Sequence, residues 1–243
     1  MKSNYDNKDW ATYYSDLTKK YNGAYSNILR DWITYFPELK RYKNGKKLLK
    51  RVGPIVFGIE IEKFLPEEYR PRFIAHNLMG SNPSSLIYIV DQPILNWKGL
   101  DVTVEYSSHD KVCVDICKKM EHQAYINLSG EVSLHDLIGG ILKFIQSKNT
   151  TSYLFGHCVL AGEAALQLTS FFRETDTKKE YFDTVIKTLE KKISLNRLEE
   201  LTGGYENWLI RIRNQCKEDL EKIILENIER YRMEKIPYKS ILN

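Results

Sequence analysis

The chain is 243 residues long, with 42% hydrophobic and 28% charged residues, a composition that supports a full core and excludes wholesale disorder. Its net charge of +4 is unevenly spread: from Lys19 to Arg51 ten basic residues stand against Asp31 and Glu38, so this segment carries +8 and the remainder about −4. The N-terminus, MKSNYDNKDWATYY, has neither the apolar run of a secretory signal nor the Arg-rich, acid-poor pattern of a transit peptide, and a cytoplasmic location is expected.

Residues 9–21 are expected to form a first helix, punctuated by Gly23. A second is predicted over 24–36, with Ile28, Leu29, Trp32, Ile33 and Phe36 on its apolar side and Pro37 just beyond. Residues 40–51 are basic, with a turn expected at Asn44-Gly45 and then a short helix.

Residues 54–63, PIVFGIEIEK, alternate: Ile55, Phe57, Ile59 and Ile61 point one way, and Val56, Gly58, Glu60 and Glu62 the other. A strand with one dry face follows. Further strands are predicted over 72–78, 85–90 and 101–106, each rich in β-branched or aromatic residues. In 111–117 the alternation of Val112, Val114 and Ile116 with Cys113, Asp115 and Cys117 favours a strand over a helix, with Ser107 to Asp110 closing a hairpin. A sixth strand is expected over 124–128. Links this short exclude parallel crossovers.

From Ser133 the pattern turns helical. Ser133 and Asp136 resemble a capping box ahead of an apolar stripe of Leu134, Leu137, Ile138, Ile141, Leu142 and Ile145. Residues 153–173 are nearly continuous in apolar residues, but Gly156, Glu163, Gln167, Ser170 and Glu174 fall on one stripe, which suits a core helix with a narrow wet edge and not a membrane span. Thr177 and Glu180 suggest another capping box, for a helix burying Phe182, Val185, Ile186, Leu189 and Ile193. A short helix should end at Gly203-Gly204. The longest, 205–232, would run 28 residues or roughly 42 Å, with Leu209, Ile212, Cys216, Leu220, Ile224, Ile228 and Tyr231 as its stripe.

Candidate chemistry centres on Glu60 and Glu62. If the first two strands pair, Arg72 and His76 share their face, so an acid/base or metal constellation of Glu60, Glu62 and His76, with Glu105 or Asp115, competes with a salt-bridged surface. A metal-dependent nuclease of the acid-x-lysine kind would need a lysine on the same face, and Lys63 is out of phase. Cys113, Cys117, Cys158 and Cys216 lack CxxC or zinc spacing and are expected to be free thiols; His109 falls in the expected hairpin loop, and the adjacent His157 and Cys158 diverge on their helix. No Gly-rich phosphate loop is present. In the basic segment, Lys40, Arg41, Lys43, Lys46, Lys47, Lys50 and Arg51 interleave with Tyr21, Tyr25, Trp32, Tyr35 and Tyr42, the pairing expected for phosphate contacts with base stacking or for an acidic protein surface.

The expected fold is α+β: a central antiparallel meander of about six strands, N-terminal helices, and a C-terminal helical bundle packed on it. Segments 1–52, 53–130 and 131–243 are expected to form one compact domain. The expected function is non-catalytic: a protein-interaction subunit of a bacterial or phage system, of the immunity or defence-accessory kind. Its contacts would use the basic segment or the long last helix, with self-association as one form of the latter. A nucleic-acid-binding subunit using the basic segment and a metal-dependent nuclease centred on Glu60 and Glu62 are the alternatives. No cofactor and no membrane insertion are expected.

Overall fold

The computed structural model describes residues 25–65, 67–80, 86–148, 154–172 and 175–242; the helix expected over 9–21 lies outside them. Residues 25–35 form helix α1, which buries Ile28, Leu29 and Trp32. Strands β1 (Lys40–Arg41), β2 (Lys47–Val52), β3 (Ile55–Leu65), β4 (Glu68–Asn77) and β5 (Tyr88–Pro93) then run as an antiparallel meander in that spatial order. Strand β6 (Val104–Glu105) pairs with the start of β4. Strand β7 (Tyr238–Lys239) joins β2 in parallel, so the open α+β sheet has seven strands among the described residues.

Strand β3 is the spine of this sheet, and its alternation decides what covers each side. Ile55, Phe57, Ile59 and Ile61 enter the large core shared with α1 and the later helices. The opposite face is not simply wet. Val56 joins Leu49, Ile74, Leu78, Met233 and Ile236 in a second, smaller core, and only the end bearing Glu60 and Glu62 is polar. The basic segment after the Asn44-Gly45 turn is a strand, not the short helix expected. Leu48, Lys50 and Val52 face the large core and Leu49 the small one, a period of two that the density of lysines obscures.

The expected strand over 111–117 is also a helix, α2 (His109–Gln123), so no hairpin forms over Ser107 to Asp110. Its buried residues are His109, Cys113, Ile116, Cys117 and Met120, a helical stripe, while Val114 is 55% exposed. The β-branched valines lie on the flank and outside, and the cysteines supply the inner face. Residues 124–128 form no strand either; they lie against helix α3 (Leu134–Gln146). Gly140 permits this approach, because a Cβ there would stand 2.6 Å from the Tyr125 carbonyl oxygen, whereas neighbouring Gly139 faces open space. Accordingly Gly140→Ala should cost about 2 kcal/mol and Gly139→Ala should gain about 0.5–1 kcal/mol in urea unfolding. Equal effects at the two positions would contradict this packing.

The Ser133 capping box is present, with the Asp136 N–H donating to Ser133 Oγ at 3.1 Å and the Ser133 N–H to the Asp136 carboxylate at 2.9 Å. Helix α4 (Phe155–Phe171) is a core helix, but its polar stripe is not a wet edge. Gln167 is buried, accepting from Asn77 Nδ2 at 2.7 Å and donating to Gln215 Oε1 at 3.1 Å. Glu163 accepts the Trp208 indole N–H at 2.8 Å. Helix α5 (Thr175–Lys192) begins before Thr177, so the helix start expected there falls two residues earlier. After α6 (Leu195–Thr202), the expected 28-residue helix is broken in two. Helix α7 (Tyr205–Arg213) and helix α8 (Lys217–Tyr231) meet at an extended Cys216. The break has a packing reason: Trp208, Leu209 and Ile212 stay on the large core, and α8 crosses from it at Leu220 through Ile224, which touches both, to Ile228, with Met233 and Ile236 beyond it in the small core on the other side of the sheet. No helix of the described residues is long and apolar enough to cross a membrane.

Candidate functional site

The polar end of the β3 face is built by register. Glu60 lies opposite Arg72, Glu62 opposite Arg70, and Val56 opposite His76, so Glu60, Glu62, Arg72 and His76 do share one face. They do not converge. His76 lies four residues beyond Arg72 on β4, about 13 Å at the strand rise. It is fully buried, with Nδ1 3.0 Å from the Ile87 carbonyl oxygen. Burial, then the Lys47 charge, pushes its pKa down to about 3. A neutral imidazole with no solvent access cannot relay protons to Glu60 or Glu62.

Each carboxylate has a cation or donor of its own. Glu60 takes Lys46 Nζ at 3.0 Å and the Tyr88 hydroxyl. Glu62 accepts from Arg70 Nη2 at 2.7 Å and Nε at 3.1 Å; burial works against its charge, but the Arg70 hydrogen bonds outweigh it and lower the pKa. Arg70 also reaches Asp101 at 3.0 Å, and Arg72 reaches Asp91 at 2.6 Å. Of the other acids considered with them, Asp115 is on α2 and Glu105 accepts from Ser107 Oγ at 3.2 Å. Lys63 lies over the Tyr25 ring at 5.0 Å, which places it on the opposite side from Glu62.

The basic segment is dispersed by the same alternation. Lys40 is exposed; Lys43, at φ 51, lies over the Tyr42 ring. Arg41 holds the turn, donating to the carbonyls of Gly45 at 2.9 Å and Asn44 at 3.0 Å. Lys47 stacks on Tyr88 at 4.6 Å and Arg51 on Tyr238 at 4.6 Å. Lys50 is only 1% exposed and pairs with Glu38. Of the interleaved aromatics, Tyr25 and Trp32 are core, and Tyr42 donates to the Tyr231 carbonyl oxygen at 2.6 Å. The basic charge of the described segment, from Lys40 to Arg51, is therefore divided between two faces and an interior.

Beside Arg70 and Arg72 opens a cleft of about 580 Å³, walled by Asp91, Gln92, Asp101, Tyr125 and Lys148. Its outer lip is the turn 95–101. Asn96 organises this turn: its side-chain oxygen accepts from the Lys98 N–H at 2.9 Å and the Leu100 N–H at 3.1 Å, and Gly99 takes φ 76. The base is clamped by Gln123, whose amide bonds both the N–H and the carbonyl of Leu95 at 2.9 Å. This rigid tip presents Trp97 at 87% exposure and Leu100 at 61%. Arg70 links them to the sheet end, stacking over the exposed Phe64 ring at 4.8 Å while it pairs with Asp101. Leu65 is exposed beside Phe64. The sequence did carry a signal for this tip, since Asn96-Trp97-Lys98-Gly99 is a turn motif with an indole in it, but strand patterning passes over turns.

A third group missed in the sequence lies where α1 meets α2. Asp31, His109 and Asp110 place ligand-type atoms within 4.8 Å of one another. His109 Nδ1 is engaged by Tyr69 Oη at 2.8 Å and Nε2 by Asp31 at 3.2 Å, so neither ring nitrogen is spare and the group carries no metal assignment. Comparison of the chain with protein-family models, with curated proteins and with solved structures finds no match.

Proposed function

We propose that the chain is a non-catalytic protein-interaction module whose contact surface is the sheet end formed by Trp97, Leu100, Phe64, Leu65 and Arg70. The observation that carries this is Trp97, an indole 87% exposed on a turn that is already rigid. Tryptophan and arginine dominate the energetic centres of protein interfaces, and a preformed loop avoids most of the ordering cost of binding. The partner is a protein with an apolar pocket of indole size. Self-association through one long final helix has lost its basis, because that helix is two.

Nucleic acid is the weaker partner. Lys46, Lys50, Arg70 and Arg72 each have a carboxylate within 3.0 Å, so counterion release on binding phosphates would be small. The decisive experiment installs a photo-crosslinking amino acid at position 97, identifies the protein captured in the native host, and measures the affinity of wild type and Trp97→Ala for it. The variant should bind about ten-fold or more weakly, with stability changed by less than about 0.5 kcal/mol. Lys40→Glu with Lys43→Glu should leave affinity unchanged. If those two changes abolish binding while Trp97→Ala does not, the contact belongs to the basic turn and this surface is wrong.

A further inference from the structure

On α2 the stripe His109, Cys113, Cys117 repeats every four residues, which stacks the three side chains on the buried face of one helix. The two sulfur atoms are 4.0 Å apart. His109 sits one turn before Cys113 and is held from outside the helix by Tyr69 Oη at 2.8 Å and Asp31 at 3.2 Å. These are the elements of an activated thiol: an imidazole that can carry charge, a carboxylate that favours that charge, and a second thiol in reach. Cys113 is 9% exposed and Cys117 fully buried, so a small solute meets Cys113 first.

We propose that Cys113 and Cys117 are a hydroperoxide-reactive thiol pair, in which Cys113 attacks and Cys117 resolves. The two thiols differ in the direction required. With Cys117 as the donor across the 4.0 Å contact, that hydrogen bond, with His109 behind it, lowers the Cys113 pKa, while Cys117 is raised by the thiolate beside it and by burial. The Cys113 thiolate attacks one oxygen of the peroxide, the O–O bond breaks, and the leaving oxygen takes a proton to depart as water or an alcohol. Cys113 is then a sulfenic acid. The Cys117 sulfur displaces its hydroxyl, releasing the Cys117 proton with it as water and forming the Cys113–Cys117 disulfide. Overall the peroxide is reduced by two electrons, which the thiol pair loses.

The geometry also predicts how the product behaves. Cβ atoms four residues apart on a helix are about 5–6 Å apart, against about 3.8 Å across a disulfide, so oxidation must tighten α2 between the two cysteines. A disulfide strained in this way is readily reduced. Tightening starts one turn from His109 and pulls it against Asp31 and Tyr69, so the docking of α1 on α2 senses the redox state.

The test needs no variant at first. The full-length reduced protein is treated with hydrogen peroxide near neutral pH and digested with trypsin, which places both cysteines in one peptide, 112–118. That peptide should lose a pair of hydrogen atoms, reversibly with dithiothreitol, at a rate about ten-fold above oxidation of Cys216. Cys216 is the internal control, being exposed and hydrogen-bonded to Asp219. In Cys117→Ser the resolving step is lost and a sulfenic acid at Cys113 should be trapped by dimedone. Oxidation of Cys216 ahead of the pair, or passage of Cys113 directly to sulfinic acid in the wild-type protein, overturns the proposal. It stands apart from the Trp97 surface, and neither result bears on the other.

Discussion

Gly58→Ala should destabilise the protein by about 3 kcal/mol or more, a large share of the roughly 5–15 kcal/mol that holds a domain of this kind together. Gly58 is at the centre of β3, opposite Leu49 in β2 and Ile74 in β4. A Cβ there would overlap the Leu48 carbonyl oxygen and lie 3.0 Å from its carbon and 3.1 Å from the Leu49 Cα. All three are backbone atoms, so no rotamer change relieves the clash. The strands must separate, and β2 is tied on its far side to β1 and β7. Urea unfolding with an unchanged m-value and a lowered midpoint would measure the loss. A variant within 1 kcal/mol of wild type would mean that β2 and β3 do not approach this closely.

Gly58 also marks where sequence patterning stops being informative. The hairpin of β3 and β4 was legible because one face of β3 alternates from Ile55 to Ile61, and the shared face of Glu60, Glu62, Arg72 and His76 followed from it. The Ser133 capping box was legible because capping is local. Errors arose where two periods fit the same letters. In α2, Val112, Val114 and Ile116 satisfy a strand, and Cys113, Cys117 and Met120 satisfy a helix; the buried Tyr69, which holds His109 at the start of that stripe, suits the latter. In β2 the charge of Lys50 masked an inward position. The final helix broke for a reason no window contains, since α7 stays on the large core while α8 runs from that core at Leu220 to the small one at Ile228, on the other side of the sheet.

The candidate site residues follow the same division. Alternation placed the carboxylates of β3 correctly on one face, yet it could not say that Lys46, Tyr88 and Arg70 would occupy them. Those partners come from the turn before β2, from β5 and from β4, and only the assembled register brings them in. Trp97 and the α2 thiols lie in a turn and on a helix taken for a strand. Both become visible once the Gln123 clamp and the pitch of α2 are in place.

Glu38→Ala should cost about 3–5 kcal/mol, the penalty for leaving a buried charge without its partner. Lys50 projects from β2 into the large core, with Nζ 5.3 Å from the centre of the Phe57 ring and 2.9 Å from Glu38. Glu38 also accepts from Lys239 at 2.7 Å and from the Gly130 N–H at 3.0 Å, so one carboxylate joins the end of the N-terminal segment, β2, β7 and the loop before α3. Burial opposes its charge, but the hydrogen bonds from Lys239, Lys50 and Gly130 prevail and hold its pKa at about 2, against an ordinary 4.5. Between these values the unfolded chain binds the proton that the folded chain refuses. The stabilisation is therefore complete above pH 4.5 and lost as pH falls towards 2. In Glu38→Gln that part of the acid slope should vanish. Lys50→Met should be nearly neutral or stabilising, because it removes the buried charge and leaves Glu38 with Lys239. Urea midpoints for the three variants from pH 2 to pH 7 separate these outcomes, and a Lys50→Met protein as unstable as Glu38→Ala would show that the lysine, not its isolation, is what the core needs.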